Sequence, residues 1–164
     1  MSEAPHADPR ARPDDDDDDE PIDLPLLRQF FDEAVPFNHF LGLTLVSVER
    51  GKVVARLPFR PELVGDPTRP ALHGGVISMV ADTVGGSAVW SLTRAGDKVA
   101  TIDLRVDYLR PGRLLELQAS VEVLRVGNRV GVSSIRVYHA DDEARPVAVA
   151  MGVYTIRRAG ESGS

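Results

Sequence analysis

Apolar residues recur along this chain with two different periods, and the switches between them mark out its elements. From Ile22, the residues Leu24, Leu27, Phe30, Phe31 and Ala34 fall at helical spacing, and Pro36 ends the run. A turn through Phe37-Asn38-His39-Phe40-Leu41-Gly42 leads into Leu43–Arg50 and Val53–Pro58, two strand-like runs that flank Gly51-Lys52. Three prolines and a glycine in residues 61–71 predict a loop. The stretch Gly75–Leu92 is apolar or small almost throughout, with Val76, Val80, Val84 and Ala88 four apart, which reads as a helix buried on all sides. After Asp97-Lys98 the period becomes two: Ile102, Leu104, Val106 and Tyr108 alternate with Thr101, Asp103, Arg105 and Asp107. Pro111-Gly112 ends that strand. Leu115–Val126 and Val130–Ala140 follow around a Gly127-Asn128 hairpin turn, and Val147–Ile156 closes the series after Asp141-Asp142-Glu143. Helix, two strands, one long buried helix, then four strands in a meander predict an α+β fold. An antiparallel sheet wraps around one central helix and keeps its outer face wet.

Charge divides the chain unevenly. Residues 1–20 hold nine acids against Arg10 and Arg12, which leaves 16 acids and 17 bases in residues 21–164. The expected organisation is a disordered acidic tail over 1–20, one folded domain over 21–158 and a flexible C-terminus over 159–164. A near-neutral body lacks the concentrated basic face that nucleic acid requires. The chain has no cysteine, so disulfides, thiolate catalysis and cysteine-held zinc are excluded. Residues 74–92 carry four glycines, Asp82 and several hydroxyls, which argues against a membrane span. No basic segment followed by an apolar one opens the chain, so a cytoplasmic location is expected.

One residue breaks the apolar helix. Asp82 is the only charged side chain between Gly74 and Thr93, and a lone carboxylate is costly to bury unless paired or hydrogen-bonded. The helix opens at His73-Gly74-Gly75. Its first turn carries unpaired N–H groups and positive potential, and glycine lets a ligand come close to them. Such an end can polarise a carbonyl and hold an oxyanion. Gly74 and Asp82 are eight residues apart, roughly 12 Å along a helix axis. One helix therefore cannot bring both to a single carbonyl. If both act on one substrate, each site needs Gly74 from one subunit and Asp82 from another, in a homodimer with antiparallel central helices that could pair further into a dimer of dimers.

The run Leu72-His73-Gly74-Gly75-Val76-Ile77-Ser78-Met79-Val80-Ala81-Asp82-Thr83 resembles the central-helix motif of hotdog-fold acyl-CoA thioesterases of the phenylacetate-pathway (PaaI-like) type. The likeness extends through Thr101–Pro111 and the order of elements from about Phe37 to Arg157. It implies hydrolysis of acyl-CoA, with coenzyme A as part of the substrate and no metal or other cofactor. Asp82 would be the nucleophile or the general base, and Gly74 N–H of the partner subunit would polarise the thioester carbonyl, with Gly75 beside it. His73 would either position that carbonyl or cap the helix. Thr101 matches a hydroxyl that holds the water or the acid in relatives, yet its alternation puts it with Asp103, Arg105 and Asp107. Either a bulge turns it inward or it is an ordinary strand threonine. Relatives carry Asn or Gln shortly before His-Gly-Gly. Here Gly65-Asp66-Pro67 stands there, leaving Asp66 or Asn38 to substitute. Arg110, Arg125 and Arg129 resemble positions that meet the nucleotide phosphates, which suit the arginine fork. Low aromatic content points to an aliphatic acyl group of short to medium length, with an aryl-acetyl group as the alternative. A hydratase or dehydratase acting on acyl-CoA, and a non-catalytic acyl-CoA sensor, are the alternatives.

Overall fold

The computed structural model describes residues 20–160. The acidic run lies outside the described residues apart from Glu20, as do residues 161–164. Helix α1 (Leu24–Gln29) widens into a π-type turn over Phe30–Ala34, and α2 (Pro36–Leu41) follows at once. Pro36 thus opens a helix rather than only ending one, since its missing N–H costs nothing in a first turn. The turn expected over Phe37–Gly42 is this helix, and Gly42, at φ 71°, stops it.

Strands β1 (Thr44–Glu49) and β2 (Lys52–Leu57) form the first hairpin. The expected loop holds a tight helical turn over Pro61–Leu63 and a small hairpin of β3 (Val64–Asp66) and β4 (Ala71–Leu72). Helix α3 (Gly74–Trp90) then crosses the molecule, followed by β5 (Lys98–Tyr108), β6 (Leu117–Val126), β7 (Val130–Tyr138) and β8 (Ala148–Arg157). The six long strands form one antiparallel sheet in the order β1-β2-β6-β7-β8-β5. The last four strands are therefore not a simple meander. Strand β6 is taken by β2, so β5 closes the far edge on β8.

The concave face of the sheet wraps α3, which packs on β2, β5, β6, β7 and β8. Leu43, Leu45, Val53, Leu57, Leu117 and Ile135 meet Val80 and Val84 in a core sealed from solvent. The antiparallel sheet around one long helix is the hotdog arrangement implied by the resemblance. Burial of α3 on all sides is not found, because the sheet covers one side only. Gly75 is exposed, and Met79, Asp82, Thr83, Gly86 and Trp90 form a half-buried stripe at helical spacing.

Three register shifts pin the sheet, each with one extra residue whose apolar side chain is left exposed. These residues are Val46 in β1, Ile102 in β5 and Leu124 in β6. The one in β5 falls between Thr101 and Asp103, and it governs the site.

Candidate active site

The bulge at Ile102 settles the two readings of Thr101. Without it, Thr101 would share a face with Asp103. With it, Thr101 joins Val99, Leu104 and Val106 in facing α3, and Ile102, expected inward, is 58% exposed. Thr101 Oγ1 donates to Asp82 Oδ1 at 2.9 Å. This charge-assisted bond fixes one oxygen of the carboxylate.

Asp82 and Thr101 open onto a cavity of about 510 Å³, walled by the α1–α2 segment, α3 and β5. Phe31 and Val35 supply apolar wall, and Phe30 stacks edge-on against Trp90, their ring centroids 5.2 Å apart. Asn38 also lines it. Its amide is buried and donates to the Phe31 carbonyl at 3.0 Å, so it stitches the wall together as well as presenting a polar group. Asp66, the other substitute for the missing Asn or Gln, is occupied elsewhere. It accepts from Thr68 N–H at 2.9 Å, from the Thr68 hydroxyl at 2.6 Å and from Arg69, and these bonds hold its carboxyl below the usual carboxylate range.

Within one chain the helix start is not part of this cavity. His73 is the N-cap of α3, where its Nδ1 accepts from Gly75 N–H at 2.9 Å. The capping role is therefore the one seen, and it leaves Nε2 as an outward donor. Gly75 N–H is spent on that cap, and Val76 and Ile77 N–H reach the His73 carbonyl. Gly74, the first helical residue, has no acceptor for its N–H within the helix. Tyr108, at the end of β5, donates to the Gly74 carbonyl at 3.1 Å. Strand β5 thus touches α3 at both chemically interesting points.

The three arginines expected to meet phosphate do not line the cavity. Arg110 is exposed beyond Tyr108 and donates to the Pro146 carbonyl. Arg125 and Arg129 are exposed around the β6–β7 hairpin, whose Gly131 packs on Val89 at the other end of α3. The cation that does line it is Lys98, opposite Arg157 in the β5–β8 register and beside Asp97.

Sequence reasoning also missed Tyr154, which is fully buried in β8 and lines the cavity. Its hydroxyl donates to the Asp82 carbonyl at 3.1 Å. Burial, and then the negative charge of Asp82, push the phenol well above its ordinary value, so it stays a donor. The sequence did hold a signal. Gly85-Gly86 interrupts a helix interior at a cost of about 1 kcal/mol per glycine relative to alanine, and such a pair needs a packing reason.

Residues 70–145 match the model of the Thioesterase superfamily. A protein of Salmonella typhimurium named Medium/long-chain acyl-CoA thioesterase YigI is 38% identical over 72% of this chain and 84% of its own length. A Halobacterium salinarum protein described as a putative esterase is 40% identical over 69% of this chain and 78% of its own. Among solved structures, a Shewanella oneidensis protein related to the thioesterase superfamily superposes with a TM-score of 0.72 and 32% identity, covering 82% of this chain and 95% of that one.

Proposed function

The chain belongs to the thioesterase superfamily, and from that premise we propose that it hydrolyses acyl-CoA thioesters to a free acid and coenzyme A, with Asp82 as the reacting carboxylate. The observation that carries this reading is the half-buried Asp82 carboxylate, fixed by Thr101 at 2.9 Å, opening onto an apolar-walled cavity. The acyl group lies against Phe31, Val35, Trp90 and Phe30. The names of the relatives favour a medium-length or long acyl chain over a short one.

The other half of the site comes from a second copy. The half-buried stripe of α3 and the long edge strand β5, with Ile102 and Tyr108 exposed, are surfaces a second copy would cover. Antiparallel packing of two α3 helices sets Gly74 N–H of one subunit against Asp82 of the other. That N–H polarises the thioester carbonyl, His73 Nε2–H stands beside it, and Asp82 attacks or deprotonates the attacking water. The thiolate leaves readily, so the mechanism asks for no metal or other cofactor. Arg110, two residues beyond the Gly74 contact, travels with that end and faces the nucleotide phosphates together with Lys98. Arg125 and Arg129 sit further out at the hairpin.

A thiol-release assay across acyl-CoAs of increasing length tests the reading directly. Asp82→Asn should lose nearly all turnover while eluting as the same dimer as the parent. Undiminished thiol release by that variant would overturn the assignment, and tight acyl-CoA binding without release by the parent chain would favour a sensor.

A further inference from the structure

We infer that Tyr154 is a positioning residue for the Asp82 carboxylate, acting through the helix backbone; this rests on the reading of Asp82 as the reacting group. The phenol hydroxyl donates to the Asp82 carbonyl at 3.1 Å. Tyr154 is also the register partner of Thr101 across β5 and β8, and the bulge follows immediately. One cross-strand pair therefore holds Asp82 twice, Thr101 by the carboxylate and Tyr154 by the main chain.

Close packing makes the second grip specific. A Cβ on Gly85 would stand 2.2 Å from the phenol oxygen, and one on Gly152 would stand 2.3 Å from it. A Cβ on Gly86 would come within 3.3 Å of the ring. Glycine at these three positions makes a cradle that admits the ring and lets its hydroxyl reach the helix. Two adjacent glycines weaken the helix where the carboxylate stands, and the phenol bond restores a defined position for that turn. The Asp82 carbonyl keeps its place in the helix ladder whether or not the phenol is present. What the hydroxyl adds is aim rather than helix formation. Aim matters because a misplacement of about 1 Å at a reacting group costs on the order of a hundredfold in rate.

The decisive variant is Tyr154→Phe in the full chain, which keeps the ring and the cavity wall and removes only the hydroxyl. Its unfolding midpoint should move by no more than about 5 °C. For acyl-CoA hydrolysis, kcat should fall about tenfold or more while KM stays within about twofold. In an Asp82→Asn background the same change should leave the residual rate unaltered, because nothing remains to be aimed. Gly85→Ala provides a second probe that displaces the phenol without removing it. It should lower kcat, and the Gly85→Ala/Tyr154→Phe double variant should be no slower than Tyr154→Phe alone. Parental kcat in Tyr154→Phe, or equal proportional losses with and without Asp82, would overturn the inference while Asp82→Asn stays inactive. Full activity in Asp82→Asn would overturn the reading of the site itself.

Discussion

The two ends of α3 are built on opposite principles. Around Asp82 the chain supplies its own contacts: Thr101 on one carboxylate oxygen, Tyr154 on the carbonyl, and a wall held by Asn38 and the edge-on pair of Phe30 and Trp90. Around Gly74 the helix start is exposed, capped by its own His73 and touched by Tyr108 on its carbonyl side. Under the proposed function, one end is a half-site that lacks an electrophile-binding group, and the other is such a group without a cavity. The difference is what favours a catalytic unit made of two halves from two chains over one made from a single segment of sequence.

The sharpest way to break that comparison is to disable each half in a different chain. Asp82→Asn and Gly74→Pro should each be nearly inactive. The proline keeps a first-turn backbone but deletes the N–H, and losing one oxyanion donor costs on the order of a hundred- to a thousandfold. Mixing and refolding the two inactive variants should recover about a quarter of parental activity, since half the dimers are mixed and each carries one intact site. No recovery on mixing would mean that both groups act within one chain.

A smaller effect is expected from the carboxylate's own contact. Thr101→Val keeps the strand and the bulge but loses the 2.9 Å bond to Asp82, and kcat should drop about tenfold. Parental kcat in that variant would return Thr101 to the status of an ordinary strand residue. His73→Ala, at the other end, removes a helix cap worth about 1 kcal/mol, which a modest fall in the unfolding midpoint would register.

The smallest effect on activity belongs to Asp97, at the rim of the cavity. Burial alone would raise its carboxyl, but the N–H groups of Arg94 and Ala159 and the Arg158 guanidinium at 2.6 Å outweigh it and hold it below the usual 3.8. A carboxyl lowered in the folded state stabilises fully above 3.8, and that stabilisation is lost as pH falls through the folded value. Asp97→Asn should therefore unfold more easily at neutral pH, by about 3 kcal/mol for a broken buried pair, with kcat little changed. The gap to the parent should close as the pH drops below the carboxylate range, which thermal melts at several pH values would show.

Much of the finished half-site could be read from residue order alone. An isolated acid in an apolar helix is visible without structure, and so is the tension between Thr101 and its strand alternation, which the bulge at Ile102 resolves. Gly85-Gly86 signals that something packs closely on the helix, but that it is Tyr154 is not legible, for a physical reason. Its partner is a main-chain carbonyl 72 residues away, and no side-chain type announces such a bond. Lys98 and the Phe30–Trp90 stack escaped notice because cavity walls arise from tertiary approach. The sheet order escaped it too, since alternation names strands and not their neighbours.

The glycine cradle also sets an order of events during synthesis. Gly85-Gly86 and the β-branched valines give the middle of α3 little helical persistence of its own. The phenol that steadies it arrives on β8, the final strand of the chain. A nascent chain that has emerged only through β7 would have its carboxylate on an unsteadied turn, and an N-terminal fragment ending before residue 148 would stay in that condition permanently. The carboxylate proposed to react is encoded in mid-chain, but the contact inferred to place it forms only when the last strand docks.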